Sequence, residues 1–160
     1  MIALQLTHDE PRLVYLALVH HLGRPGSELD PVTRLPVERG LRDVKVALGN
    51  DVASESAIIE LDEAQYRRLL SAIFGSANEL RVHHMRNGAP STVDRFTETA
   101  LTLFPQLQDD PEYALDLAEA MVMLHRRMER AVARASAAGA GAAEAPAEGP
   151  KRRWPWSKRA

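Results

Sequence analysis

The 160-residue sequence contains no cysteine. That excludes disulfides, thiolate chemistry and cysteine-ligated zinc, and it is compatible with a reducing cytoplasm. Long apolar runs are also missing. The longest, Leu13 to Val19, falls far short of the roughly 20 residues that a bilayer-spanning helix needs. The first ten residues have neither the basic start nor the apolar centre of a secretory leader, so a soluble chain is expected. Several catalytic signatures are absent. There is no Gly-x-Ser-x-Gly elbow and no Gly-x-x-x-x-Gly-Lys phosphate loop, and Gly23-Arg24-Pro25-Gly26-Ser27 fits neither spacing. It reads as a turn-rich connection between helices.

Six histidines are present: His8, His20, His21, His83, His84 and His125. None belongs to a His-x-x-x-His or His-Glu-x-x-His motif. Adjacent histidines on a helix point about 100° apart, so neither His20-His21 nor His83-His84 chelates one ion as a local pair. Glu79 with His83 and His125 with Glu129 are each four apart and can share a face. A metal would require such pairs to meet in space, and no cofactor is expected.

What the chain does contain is enough apolar residue, 45%, for one domain with a real core. Its formal charge of −2 conceals a division. Lys151, Arg152, Arg153, Lys158 and Arg159 give the last ten residues +5, which leaves residues 1–150 at −7. A basic end on an acidic body is drawn to phosphates, anionic lipids or acidic protein surfaces.

The central stretch runs from Ser56 to His84. Alternating residues up to Leu61 predict a strand. Asp62 with Gln65 then forms a capping box, and Leu61 with Tyr66 is spaced for a hydrophobic staple. Tyr66, Leu69, Leu70, Ile73, Phe74, Ala77, Leu80 and His84 recur at helical spacing and predict the buried face. Gly75 interrupts that stripe at a cost of about 1 kcal/mol relative to alanine, and Ser76 with Glu79 could start a second helix. One helix ending at Asn87-Gly88, with Pro90 beyond, is the expected form.

The N-terminus resembles this stretch in roles more than identities. Ile2, Leu4 and Leu6 alternate, Thr7-x-x-Glu10 or Asp9 caps, and Leu13 to Leu22 is a nearly continuous apolar helix closed by Gly23. A second helix is expected in each half. One carries Val37, Leu41, Val44 and Leu48. The other starts at Ser91 and carries Val93, Phe96, Ala100, Leu103, Phe104 and Leu107. The expected fold is mainly α with minor α+β character: two strand–helix–helix units, residues 1–50 and 56–108, joined by a short two-stranded antiparallel ribbon. Such a ribbon is marginal alone. It must lie on helices or be extended by a second copy, and the latter makes a homodimer plausible.

Asp109-Asp110-Pro111-Glu112 opens a fifth, long amphipathic helix, expected over residues 111–135, which completes a single domain of residues 1–135. Its stripe continues to Ala131 and Val132, and Leu117, Met121, Leu124 and Met128 mark the face expected to cap the domain or meet a partner. Residues 136–150 collapse to alanine, glycine, proline and two glutamates and predict a flexible linker.

The tail, residues 151–160, sets Trp154 and Trp156 among its five basic residues. Tryptophan favours a membrane interface and lysine or arginine pairs with anionic headgroups. Pro155 forbids a regular helix, so the segment would act as an extended ligand. The carboxylates Asp9, Glu10, Asp62, Glu63, Asp109, Asp110 and Glu112 fall at predicted helix starts, where negative charge opposes the N–H dipoles. The resulting expectation is a non-enzymatic helical interaction protein, homodimeric, whose tail binds an anionic membrane or an acidic protein. It would reside in the cytoplasm, peripheral to the inner membrane surface. Two rivals stand beside it. One is a nucleic-acid-associated factor that stacks bases on the tail tryptophans. The other is a metal-dependent enzyme with a site between the repeats.

Overall fold

A computed structural model describes residues 1–143, with side chains through Ala138. It is mostly helical with one two-stranded antiparallel sheet. In chain order the elements are β1 (Ile2–Thr7), α1 (Glu10–Leu22), α2 (Arg42–Gly49), β2 (Ser56–Leu61), α3 (Glu63–Met85), α4 (Phe96–Leu103), α5 (Gln106–Asp109) and α6 (Tyr113–Ala143). The order strand, helix, helix thus occurs twice, with α5 and α6 added.

Alternation decides how the ribbon lies. β1 and β2 pair with Ile2 opposite Leu61, Leu4 opposite Ile59 and Leu6 opposite Ala57. Leu4, Leu6, Ala57, Ile59 and Leu61 are buried, while Ala3, Gln5, Ile58 and Glu60 face outward. The inner face joins one core with α1 and α3, so the ribbon is supported by helices of its own chain. That meets the need for which the sequence had invoked a second copy.

The capping box at α3 forms in full. Asp62 Oδ1 accepts from the Gln65 N–H at 2.7 Å, and Gln65 Oε1 accepts from the Asp62 N–H at 3.1 Å. At α1 only half of the corresponding arrangement exists: Glu10 Oε2 accepts from the Thr7 N–H at 2.8 Å, while the Asp9 side chain makes no cap bond. α3 is one helix. It ends where expected, with Asn87 and Gly88 both at positive φ and the Gly88 N–H donating to the His83 carbonyl at 2.9 Å.

Its buried face is turned from the expected one. Gln65, Tyr66, Leu69, Ala72, Ile73, Ser76, Ala77, Leu80 and His83 are buried, Leu70 and His84 are half-buried, and Phe74 is 52% exposed. Ala72 and Ser76 are buried on the side of α3 where Phe74 was expected to lie, and α1 packs on α3 with His20 against Gly75.

The second helix of each half starts later than the periodicity implied. Val37 lies in a loop with its N–H donated to the Glu28 carbonyl, and α2 begins at Arg42. Ser91 is held in a turn, its hydroxyl accepting from the Val93 N–H at 3.0 Å, and α4 begins at Phe96 after Arg95 in the left-handed region.

On α6, Leu117, Met121, Leu124 and Met128 are all buried in the core of the chain itself. Of the two roles expected for this face, capping the domain or meeting a partner, its burial agrees with the first. From Glu129 to Ala138 every side chain is exposed, including Ala131 and Val132, which the period had placed on the buried stripe. Backbone contacts divide the chain into a unit ending at Glu129 and another beginning at Arg130, earlier than the expected boundary at 135. Ser136–Ala143 is helical where a linker was expected, because alanine is the strongest helix former and no proline intervenes. The rest of that linker lies outside the described residues.

Candidate functional site

A groove of about 630 Å³ lies over the outer side of α3. Leu70 and Phe74 form its apolar part, and Arg24, Arg67, His125 and Glu129 its polar part. The His125 ring stands 5.9 Å from that of Phe74, tilted by 51°, and its Nδ1 lies 3.4 Å from Glu129 Oε2. Arg67 is paired with Glu63 one turn earlier. The groove offers an aromatic platform beside guanidinium groups.

Beneath that groove, at Gly75, lies a buried polar layer. His20 from α1 is buried against Gly75, and its ring meets Phe96 of α4 edge-on at 5.6 Å and 77°. A Cβ at position 75 would stand 2.9 Å from His20 Cε1 and 3.3 Å from Nδ1. The interruption in the α3 stripe is thus the space the imidazole occupies. Burial pushes the His20 pKa below 6.5, with Glu79 opposing and Arg24 and His21 adding to the fall. Glu79 itself accepts from the Ser91 hydroxyl. His20 Nδ1, Ser76 Oγ, His83 Nε2 and His84 Nδ1 have no hydrogen-bond partner. This layer, which brings His20 next to Glu79 and Phe96, was not visible in the sequence. Only the unexplained Gly75 marked it.

A second polar hub organises the long loop between α1 and α2. Glu28 Oε1 lies 2.7 Å from His21 Nε2, and Oε2 accepts from the Leu41 N–H at 2.9 Å. Gly40 gives that carboxylate room, since a Cβ there would fall 1.5 Å from Oε2. The Gly40 carbonyl in turn accepts from Gln65 Nε2 at 3.0 Å, tying the loop to the start of α3. Within the loop Asp30 Oδ1 accepts from the N–H groups of Thr33 and Val32, which lowers its pKa below the usual carboxylate value. Tyr66 and Tyr113 both titrate above the usual phenol value because they are desolvated, and Tyr66 donates to the Met128 carbonyl at 3.0 Å.

The structure therefore gives most of the acids singled out in the sequence a local role. Asp62 caps α3, Glu63 pairs with Arg67, Asp9 with Arg12, and Asp110 accepts from the Glu112 N–H. Glu10 takes a longer-range part: its Oε2 lies 2.8 Å from Arg127 Nη2, which also donates to the Gln5 carbonyl at 3.2 Å. Among the described residues, no three His, Asp or Glu side chains are grouped as a metal site, and no helix is long and apolar enough to cross a membrane. The tail residues Lys151, Arg152, Arg153, Trp154, Trp156, Lys158 and Arg159 lie outside the described residues. No family model, curated protein or solved structure matches the chain.

Proposed function

We propose that the chain is a non-enzymatic helical interaction protein whose basic, tryptophan-bearing tail tethers it to an anionic membrane surface. The division of charge carries this reading: +5 on the last ten residues against −7 on the rest. The folded body supports it, because the conspicuous carboxylates and glycines are occupied in capping helices and tying loops. Each basic residue near an anionic surface contributes about 1 kcal/mol, and the indole rings add interfacial preference. Five charges and two tryptophans give reversible binding that salt weakens. An acidic body favours lipid over nucleic acid, since a phosphate-binding fold concentrates its basic residues on one face.

The test uses the whole chain. Vesicles of phosphatidylcholine alone, or with phosphatidylserine, are floated with the native protein and with a variant in which Lys151, Arg152, Arg153, Lys158 and Arg159 are all glutamine. The native protein should float only with the anionic vesicles, and the variant with neither. Equal flotation of the two proteins, or none of the native protein with phosphatidylserine, refutes the tether. Tight binding of a single-stranded oligonucleotide by protein that ignores the vesicles would instead favour the nucleic-acid reading.

A further inference from the structure

The two edges of the ribbon differ. The ladder continues past β1, with the His8 N–H donating to the Glu55 carbonyl at 2.7 Å. Residues of β1 at even positions and of β2 at odd positions therefore face each other, and the backbone groups of Ala3, Gln5, Thr7, Ser56, Ile58 and Glu60 point away from the ladder. On the β1 side two of these groups are engaged. Arg127 donates to the Gln5 carbonyl, and Glu10 accepts from the Thr7 N–H. On the β2 side, among the described residues, no hydrogen bond reaches the backbone of Ser56, Ile58 or Glu60. All three are exposed, and Ile58 keeps 69% of its surface in water. An open edge with an isoleucine at its centre, lacking lysine, proline or a bulge, is a template for another strand.

We infer that this edge pairs antiparallel with β2 of a second copy of the chain, giving a four-stranded sheet centred on Ile58. The short sequence is self-complementary in that register. Ile58 meets Ile58 of the second copy across the twofold axis, and their exposed side chains cover each other. Ser56 meets Glu60 of the second copy, and Glu60 meets its Ser56, so no like charges oppose. The two Ile58 residues form a hydrogen-bonded pair with Cα atoms about 5.5 Å apart. An isologous contact of this kind uses the same edge on both chains and so closes at two. The inference is independent of the tail.

Light scattering on size-exclusion fractions of the full chain should give twice 17.7 kDa at high protein concentration, falling towards the monomer on dilution. Ile58→Lys, which changes only an exposed side chain, should be monomeric with an unchanged circular dichroism spectrum. Register is read from Ser56: Ser56→Lys places a cation opposite Glu60 at both ends and should tighten the dimer by about 2- to 30-fold, while Ser56→Glu should loosen it comparably. Because the chain has no cysteine, Ile58→Cys gives a single thiol at a separation that a disulfide accepts. It should cross-link into a dimer on oxidation, whereas Gln5→Cys, on the same face but away from the open edge, should not. A native chain monomeric throughout, a dimer indifferent to Ile58→Lys, equal responses to the two Ser56 variants, or equal cross-linking of the two cysteine variants each overturns the inference.

Discussion

Gly75→Ala is the substitution whose ordinary effect this fold should reverse. In a helix interior, alanine in place of glycine is worth about 1 kcal/mol of stability. Here the added methyl would stand 2.9 Å from His20 Cε1, well inside the 3.5–4.0 Å at which carbon atoms attract. The ring has little room to retreat, since it is buried and Phe96 stands edge-on to it at 5.6 Å. Overpacking a core typically costs about 1–3 kcal/mol. Set against the propensity gain, Gly75→Ala should leave the protein between unchanged and about 2 kcal/mol less stable. In a His20→Ala background the obstruction is gone, and the same substitution should stabilise by about 1 kcal/mol. Urea unfolding of the four full-length proteins, followed by far-ultraviolet circular dichroism, measures the cycle. The coupling should be roughly 1–3 kcal/mol. Equal stabilisation by Gly75→Ala in both backgrounds would mean that the imidazole does not determine the glycine.

Two further outcomes follow from the same polar groups. Gly40→Ala should destabilise by about 1.5–3 kcal/mol, because Glu28 Oε2 must leave the Leu41 N–H, and a hydrogen bond to a charged group is worth about that much. In a Glu28→Ala background Gly40→Ala should be nearly neutral, and thermal unfolding of the pair checks this; an undiminished penalty there would refute the account. His20 should make the fold acid-sensitive. Its folded pKa lies below the 6.5 of the free side chain, chiefly through burial, so the unfolded chain binds more protons and stability rises with pH in that range. The contribution of neutral His20 is complete above pH 6.5 and declines as pH falls from there towards the folded pKa. Unfolding free energy measured against pH should show this slope, and His20→Gln should flatten it. A slope of the opposite sign, or one unchanged in the variant, would exclude His20 as its source.

Local chemistry made some of the fold legible. Asp62 and Gln65 are three residues apart in a pattern whose hydrogen bonds depend on nothing distant, and the full box forms. The alternation of Leu4, Leu6, Ile59 and Leu61 likewise fixed which ribbon face is buried. Features that depend on tertiary partners were less legible. Phe74 belongs to the helical stripe by period, yet Ala72 and Ser76 are buried in its place. Ser91 has the composition of a helix cap, but its hydroxyl is engaged by Glu79 and the Val93 N–H, so the helix waits until Phe96. Met121 and Met128 looked like an adaptable surface because periodicity identifies an apolar face without saying what covers it. The cover is the core of the same chain.

The clasp of Arg127 on the Gln5 carbonyl joins positions 122 residues apart. During synthesis β1 emerges first, and the guanidinium that clasps its outer border emerges only with α6. Until then the Gln5 carbonyl on that border lacks its guanidinium, and incomplete chains ending before Arg127 never acquire the clasp. Premature termination should therefore yield aggregation-prone fragments even when every residue of the ribbon has been made.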